Sequence, residues 1–293
     1  MKKILFAVLL ASAFLACKKD EPEPNNTNNT NNPPAPRLIF TFKFDSTQAR
    51  LDNLGQPASV PGNHSAQSPV FHGMSAHYIE LAPTATTALG GGYVLYLAPQ
   101  TSDGGGPAID FDSATVVGQG QEFFSIPISQ LQAGTYQYLR VSLAYQNYDI
   151  KLRANSINFT GRLASFIGFN TYIRNFTPNT IPVTVNANKP QGFWAFEAFS
   201  QVTQGQAPPG ATTVVNPIWN TSPIPSGSCV VTAAFSSPLV LTGNETQDIH
   251  IEVSLSTNNS FEWIENSIPG VYEPLDGDTV VDMGVRGMIL NVQ

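Results

Sequence analysis

The stretch "GTYQYLRVSLAYQNYDI", residues 134–150, carries the longest strand signal in the chain. Its apolar residues recur at every second position, the spacing that places side chains on one face of a β-strand. One face carries Leu139, Val141, Leu143 and Tyr145. The other face carries Tyr136, Tyr138, Arg140, Ser142, Gln146 and Tyr148. The pattern predicts one long strand that is apolar on one face and mixed polar and aromatic on the other.

The same period of two runs through most of the chain after residue 36. Residues 38–44 and 249–255 alternate in this way, whereas only residues 46–54, with Asp45 as a cap, suggest a helix. Further strand candidates are residues 78–81, 93–98, 123–128, 163–169, 181–185, 193–199 and 229–235. About ten strands joined by glycine- and proline-rich turns predict an all-β, antiparallel β-sandwich of jelly-roll or immunoglobulin-like type.

The mixed face of residues 136–148 is a candidate ligand-binding surface. Aromatic rings stack on the apolar faces of sugars, and side chains such as Arg140 and Gln146 bond their hydroxyl groups. The alternative is that the tyrosines lie beneath a second sheet or a loop. Trp194 is a secondary candidate, and Trp219 lies in a proline-bounded loop. The predicted ligand-binding residues are Tyr136, Tyr138, Arg140, Gln146, Tyr148 and Trp219.

The N-terminus has the features of a secretory signal. Lys2 and Lys3 precede an apolar stretch, residues 4–15, that is shorter than the about 20 residues a transmembrane helix needs. Residues 14–17, "FLAC", resemble the lipobox of bacterial lipoprotein precursors. That resemblance implies that Cys17 is acylated and becomes the new N-terminus, with the acyl chains as a membrane anchor.

The residues after the cysteine suggest where the protein is displayed. Residues 18–21, "KKDE", resemble the lysine-plus-acidic export signals of Gram-negative lipoproteins on the outer face of the outer membrane. This resemblance implies a lipid-anchored outer-membrane protein that faces the cell exterior. The following Asn, Thr and Pro residues cannot form a core, so they predict a disordered tether. The predicted organisation is a signal peptide (1–16), an acylated cysteine with its tether (17–36) and a sandwich domain (37–293), or two β domains meeting near residues 175–189.

Charge and cysteine content exclude some partners and cross-links. The 293 residues include 14 basic and 21 acidic side chains. Four basic and three acidic residues precede residue 37, which leaves ten basic and eighteen acidic residues and a net charge of −8 in the folded part. An acidic domain argues against a nucleic-acid partner. With Cys17 acylated, Cys229 has no partner for an intramolecular disulfide and is expected to be a buried thiol.

The C-terminal stretch "ENSIPGVYEPLDGDTVVDMG", residues 265–284, is a candidate calcium site. Calcium takes six to eight oxygen ligands, and closely spaced carboxylates beside glycines can supply them. The candidate ligands are Glu273, Asp276, Asp278 and Asp282. The spacing does not match an EF-hand, and a solvated acidic turn is the alternative. A weaker second site is predicted at residues 103–112, with Asp103, Asp110 and Asp112.

His64, His72 and His77 lie within fourteen residues and are candidate copper or zinc ligands. Three segments resemble, in their order, those of copper-binding periplasmic or surface lipoproteins: residues 78–80, 134–149 and 192–196. The alternative is a set of isolated turn or surface histidines, because positions five apart on a strand face opposite ways.

No nucleophile, zinc-protease, dithiol or phosphate-loop motif occurs in the sequence. The sequence therefore predicts a non-enzymatic surface lipoprotein whose β-sandwich recognises a glycan or another envelope component. One alternative is a structural subunit of an envelope or secretion assembly that pairs through exposed sheet edges. The other alternative is a protein that binds copper or calcium.

Overall fold

A computed structural model of the chain describes residues 35–52, 55–208 and 228–293. All of them belong to one compact unit, Ala35–Gln293. Strands form nearly all the regular structure of these residues, together with two three-residue 3₁₀ helices, Phe111–Ser113 and Ile128–Gln130. The prediction of an all-β domain with very little helix is confirmed.

The described residues form eighteen strands. The first nine are β1 (Arg37–Asp45), β2 (His64–Gln67), β3 (Val70–Ala82), β4 (Tyr93–Leu97), β5 (Gln100–Thr101), β6 (Ala108–Asp110), β7 (Glu122–Pro127), β8 (Gly134–Ala154) and β9 (Ile157–Phe166). The others are β10 (Asn170–Phe176), β11 (Val183–Pro190), β12 (Phe193–Ala198), β13 (Gln201–Gln206), β14 (Cys229–Leu241), β15 (Ile249–Ser256), β16 (Phe261–Ile264), β17 (Thr279–Asp282) and β18 (Met288–Val292).

These strands form four sheets. Sheet I has the order β13-β12-β9-β8-β3-β4, and β14 also pairs with β8. Sheet II has the order β18-β15-β1-β7, sheet III the order β11-β10-β6-β5 and sheet IV the order β17-β16-β2. Most pairings are antiparallel, as expected for a sandwich, but β1 pairs with β15 and β6 with β10 in parallel. Sheets II and III therefore each contain a crossover connection, because parallel neighbours cannot be joined by a tight hairpin turn.

Sheet I is the central layer, and the other sheets pack against it. Its β3, β8 and β14 form the main core with β1, β7, β15 and β18 of sheet II. On the opposite face, β8, β9 and β12 pack against β10 and β11 of sheet III through Tyr145, Phe166, Ile173, Phe176 and Phe193. Farther along β8, Tyr148, Ile150 and Leu152 pack against Phe261 and Trp263 of β16. Most of sheet I is therefore covered on both faces.

A bulge in β8 reverses the faces that simple alternation predicts. Leu143 pairs with Ala76 and Tyr145 pairs with Ser75, so Ala144 is an extra residue between two consecutive pairs. Such a bulge shifts every following side chain to the other face. Tyr148 accordingly lies 4.7 Å from the ring of Phe71 on the sheet II side, while Tyr145 packs toward sheet III. The predicted grouping of Tyr145 with Leu139 is wrong for this reason.

The predicted helix at residues 46–54 is also wrong over the part that the structure describes. The Asp45 carboxylate does accept hydrogen bonds from the Thr47 and Gln48 amides, at 2.8 and 3.0 Å. The chain then leaves the turn, because Arg50 accepts a bond from Ala58 and Leu51 forms a bridge with Pro57. Asp45 therefore caps an isolated turn.

Candidate functional site

The predicted binding face of β8 is buried rather than exposed. The side chain of Arg140 is fully buried beside that of Glu80, with 3.4 Å between Nη1 and Oε2. Arg140 also donates to main-chain carbonyls of residues 85, 87 and 88 in the β3–β4 loop (residues 83–92). Glu80 accepts from the amides of Gly90 and Gly92 at the other end of this loop. Arg140 thus holds a loop over sheet I instead of meeting a ligand.

Three other predicted residues of this face, Tyr136, Gln146 and Tyr148, also have internal partners. Tyr136 is 6% exposed and donates to the Gln132 carbonyl. Gln146 and Tyr148 are fully buried, and both donate to the Met283 carbonyl. Tyr138 is half-buried, and Trp219 lies outside the described residues. The predicted exposure is wrong for Tyr136 and Tyr148: for them the alternative, burial beneath other elements, is what the structure shows.

The three histidines do not converge on a metal. His64 donates from Nδ1 to Glu262 Oε1 (2.5 Å), and His72 is 2.8 Å from Asp149. His77 accepts from the side-chain amide of Gln100, and burial lowers its pKa to about 4. Each ring thus has a different partner. The copper or zinc prediction is wrong for the part of the chain that the structure describes, where no group of three or more His, Cys, Asp or Glu residues could hold a metal ion.

The calcium prediction fails because the carboxylates organise their own loop. The two oxygens of Asp278 accept from the Asn266 and Glu273 amides at 2.9 and 2.7 Å and from the Ser267 hydroxyl. Glu273 accepts from the Ile268 amide and lies 3.5 Å from Arg153. The exposed Asp276 only adds a main-chain bond to Glu273.

Asp282 and the second acidic loop are neutralised by arginines. Asp282 lies 2.7 Å from Arg286. Burial raises the pKa of Asp282, and the Arg286 charge opposes that rise. In the other loop, Arg174 lies within 3.2 Å of three carboxylates, those of Asp103, Asp110 and Asp112. A guanidinium occupies the position that a cation would need at both places.

A cavity of about 540 Å³ lies where sheet I meets sheet IV and the loop at residues 265–278. The far end of β8 contributes Ile150, Leu152 and Ala154. Its aromatic lining comes from Phe159, Trp194, Phe196, Phe261 and Tyr272. A neighbouring groove of about 390 Å³ shares Leu152, Phe159 and Tyr272 with it and adds Lys151 and Asn158. Both volumes fall in the range of about 300–1,000 Å³ that is usual for small-ligand sites.

Two of the aromatic rings are held over glycines of neighbouring strands. Trp194 pairs with Gly205 of β13, and a Cβ at Gly205 would collide with the indole ring. A Cβ at Gly161 of β9 would collide in the same way with the Phe196 ring. Each ring therefore occupies the space that a side chain would take and lies close to the backbone. Such rings provide flat apolar platforms.

The lining carries little free charge. Among the described lining residues of the larger cavity, Asp278 is the one carboxylate, and its oxygens are already engaged by the loop. Burial raises the pKa of Tyr272 to about 12, so its hydroxyl stays protonated at neutral pH. Thr203 and Gln206 supply uncharged polar groups from β13. The cavity therefore suits an uncharged group with an apolar face.

Exposed apolar side chains surround the cavity. Ile157 is 61% exposed, Leu275 is 66% exposed and Phe199 is 72% exposed. The Phe199 ring lies 4.7 Å from that of Phe159, which lines the cavity. Phe199 has a φ of 49°, a left-handed conformation that is rare for a bulky residue. A hairpin turn thus holds an aromatic ring in solvent next to the cavity.

The cavity lies at the opposite end of β8 from the start of the domain. Pro36 accepts a bond from Ile128, in the short 3₁₀ helix that leads into Gly134. The cavity begins at Ile150, sixteen residues farther along the same strand. An extended strand of that length spans roughly 50 Å, and bending shortens it. The first residues of the domain and the cavity are therefore well separated.

Comparisons with protein-family models, curated proteins and solved structures find no match to this chain. None of the helices in the described residues is long and apolar enough to cross a membrane.

Sequence reasoning singled out two residues that line the cavity, Trp194 as a sugar contact and Asp278 as a calcium ligand, and missed most of the others. Trp194 and Phe196 are two positions apart, so the sequence alone indicates that both aromatic side chains lie on one face of a strand. Gly161 and Gly205, which lie beneath those rings, gave no signal because their positions across from β12 depend on strand register. Cys229 is buried as expected, and burial raises its pKa to about 12.

Proposed function

We propose that this chain is an acylated outer-surface lipoprotein whose β-sandwich is a non-enzymatic binding module for a glycan or another envelope component. The observation that carries the proposal is the aromatic cavity, where glycine-backed Trp194 and Phe196 give flat apolar surfaces. A pyranose ring presents a flat apolar face to such a platform, and the Thr203 hydroxyl can bond a sugar hydroxyl.

The position of the cavity supports display on a lipid anchor. The resemblance of residues 14–17 to a lipobox implies acylation of Cys17. The folded domain starts at the Gly134 end of β8, and the cavity is at the Ala154 end. A tether attached at residue 35 leaves the cavity end free for ligand. Cys17→Ser is expected to abolish acylation and membrane retention, measured by labelling with a fatty-acid analogue and by cell fractionation.

A glycan array tests the ligand class. Residues 35–293 are suitable for display at high density, because all the described sheets and cores lie inside this unit. Binding is expected for the wild type and is expected to be lost in Trp194→Ala and in Ala154→Phe, which fills the cavity while leaving the platform in place. Leu97→Ala is the matched control, because Leu97 is 47% exposed on β4 and does not line the cavity. Equal glycan binding by all four proteins would refute the assignment of the site.

A second candidate function is a structural part of an envelope assembly. The exposed Ile157, Phe199 and Leu275 favour it, since exposed apolar groups in one region mark protein contacts. Cross-linking in intact cells is expected to recover the same envelope protein with the wild type and to lose it with Phe199→Ser. Recovery of no specific partner would count against this function.

A further inference from the structure

β13 is an edge strand of sheet I, and none of the described strands pairs with its outer side. Its pairing with β12 fixes which main-chain groups face outward. Ala207 donates to Gly192, and a two-residue turn at Phe199 and Ser200 closes the hairpin. Because antiparallel pairs alternate between bonded and non-bonded, the outward N–H and C=O groups belong to Val202, Gln204 and Gln206.

The outer edge of β13 lacks the residues that usually prevent another strand from pairing with it. Edge strands commonly carry charges or prolines that prevent addition of another chain. Three other edge strands carry them: β11 has Lys189 and Pro190, β7 has Glu122 and Pro127, and β17 has Asp282. The edge strands β4 and β18 also lack charges and prolines, but neither of them lines the aromatic cavity. The sequence of β13, QVTQGQ, contains neither a charged residue nor a proline. Its backbone is open to pairing.

The aromatic cavity begins on the same strand. Thr203 and Gln206 line it together with Trp194 and Phe196 of the neighbouring β12. A further strand would lie about 4.8 Å beyond β13, and alternate side chains would point to the cavity face. An aromatic or large aliphatic side chain across from Thr203 can reach the cavity from that position. The Asp278 carboxylate is engaged by the 265–278 loop, so the surroundings favour an uncharged occupant.

We propose that β13 binds an extended, uncharged peptide segment of a partner protein as an additional strand, with one apolar side chain of that segment in the aromatic cavity. Main-chain bonds to Val202, Gln204 and Gln206 supply affinity, and the cavity supplies specificity. This inference rests on the proposed function as a binding module and names the class of its ligand.

The test uses a synthetic probe, acetyl-Thr-Val-Thr-Trp-Thr-Val-Thr-amide with a fluorescent label, and residues 35–293. Fluorescence anisotropy is expected to show saturable binding. Gln204→Pro removes one outward N–H and is expected to weaken binding about tenfold or more, since one lost hydrogen bond at an interface has that order of effect. Gln204→Ala keeps the N–H and is expected to bind as the wild type does. A circular dichroism melt establishes that the proline variant is folded.

A second measurement does not depend on any protein variant. The same probe N-methylated at alternate residues cannot donate to β13 and is expected to lose binding, whereas replacement of its Trp by Ala tests the cavity. Amide hydrogen exchange at Val202, Gln204 and Gln206 is expected to slow when the unmodified probe binds. Equal binding of the N-methylated probe, unchanged exchange, or no binding of the parent probe would overturn strand addition.

The outcomes separate this inference from the proposed function. If the probe fails and the glycan array shows Trp194-dependent binding, strand addition is wrong and the cavity remains a sugar site. If the probe, the glycan array and the search for a cross-linked partner all fail, the binding-module proposal fails as well. Probe binding that is weakened by Gln204→Pro but not by Gln204→Ala, and that is lost in Trp194→Ala, supports both strand addition and the binding-module proposal.

Discussion

Arg140→Met separates a structural arginine from a ligand-binding one. The side chains of Arg140 and Glu80 are both fully buried in sheet I, and Arg140 donates to three carbonyls of the β3–β4 loop. Glu80 accepts from Gly90 and Gly92. Methionine has a similar length but no charge and no donor. The substitution therefore leaves a buried carboxylate without its cation and leaves three loop carbonyls without their donor.

The expected loss is large because the charge that remains cannot reach water. Removal of one partner from a buried ion pair costs about 3–5 kcal/mol of unfolding free energy. At about 2–4 °C per kcal/mol for a domain of this size, Tm is expected to fall by about 6–20 °C. A surface arginine that only meets a ligand would change the unfolding free energy by about 0.5 kcal/mol or less.

Urea unfolding monitored by tryptophan fluorescence measures this difference. Arg37→Met is the matched control, because Arg37 and Glu122 form an exposed pair at 3.4 Å, and such pairs contribute about 0–1 kcal/mol. The double variant Glu80→Gln, Arg140→Met retains an acceptor for Gly90 and Gly92 but no charge. It is expected to be more stable than Arg140→Met by about 1–3 kcal/mol. A loss below about 1 kcal/mol in the single variant, or no recovery in the double variant, would refute the structural role.

Three further predictions concern buried or engaged side chains. His77 has a pKa of about 4 when folded, below the unfolded value of 6.5, so its contribution to stability is present above pH 6.5 and is lost as pH falls toward 4. Between pH 7 and pH 4.5, the unfolding free energy of the wild type, measured with urea, is expected to fall by about 2 kcal/mol more than that of His77→Gln. Equal falls in the two proteins would contradict this prediction. Cys229, with a pKa near 12, is expected to resist iodoacetamide at pH 8 until urea unfolds the domain; rapid alkylation of the folded protein would place it at the surface. Calcium or EDTA is expected to leave Tm unchanged because loop amides already occupy the Asp278 oxygens, and a calcium-dependent rise would restore the calcium site.

The strand content of the domain could be predicted from the sequence because alternation is a local property. Residues 38–44, 134–150 and 249–255 all lie in strands, β1, β8 and β15. The partners of those strands could not be predicted in the same way. The parallel pair of β1 and β15 joins residues more than 200 positions apart, and nothing in either strand specifies the other. Burial on both faces of sheet I also removes the usual contrast between a polar and an apolar face.

The face of the sheet on which each side chain lies was harder to predict than the strands themselves, and the predicted binding site depended on those faces. The alternation is correct from Tyr138 to Leu143, but Tyr136 packs in the same core as Leu139, and one extra residue, Ala144, reverses the alternation after Leu143. The bulge has no strong sequence signal here, since alanine, unlike glycine or proline, does not mark a special backbone conformation. The error moved Gln146 and Tyr148 from the core to a predicted surface. Arg140 was predicted to be exposed for a different reason. Its charge is neutralised by Glu80, which lies sixty residues away in the sequence. Without tertiary contacts, an arginine in a buried ion pair cannot be distinguished from an exposed one.

The covering of sheet I determines where a ligand can bind. Near Gly134 the sheet is covered by sheet II on one face and by the loop that Arg140 holds on the other, so its tyrosines and arginine serve the core. Near Ala154 the cover is incomplete, because Trp194 and Phe196 lie low over Gly205 and Gly161 and leave a cavity between sheet I and the 265–278 loop. That end is also where β13 presents an uncharged edge. The cavity and the uncharged edge therefore lie in one place, at the end of β8 that is far from Pro36.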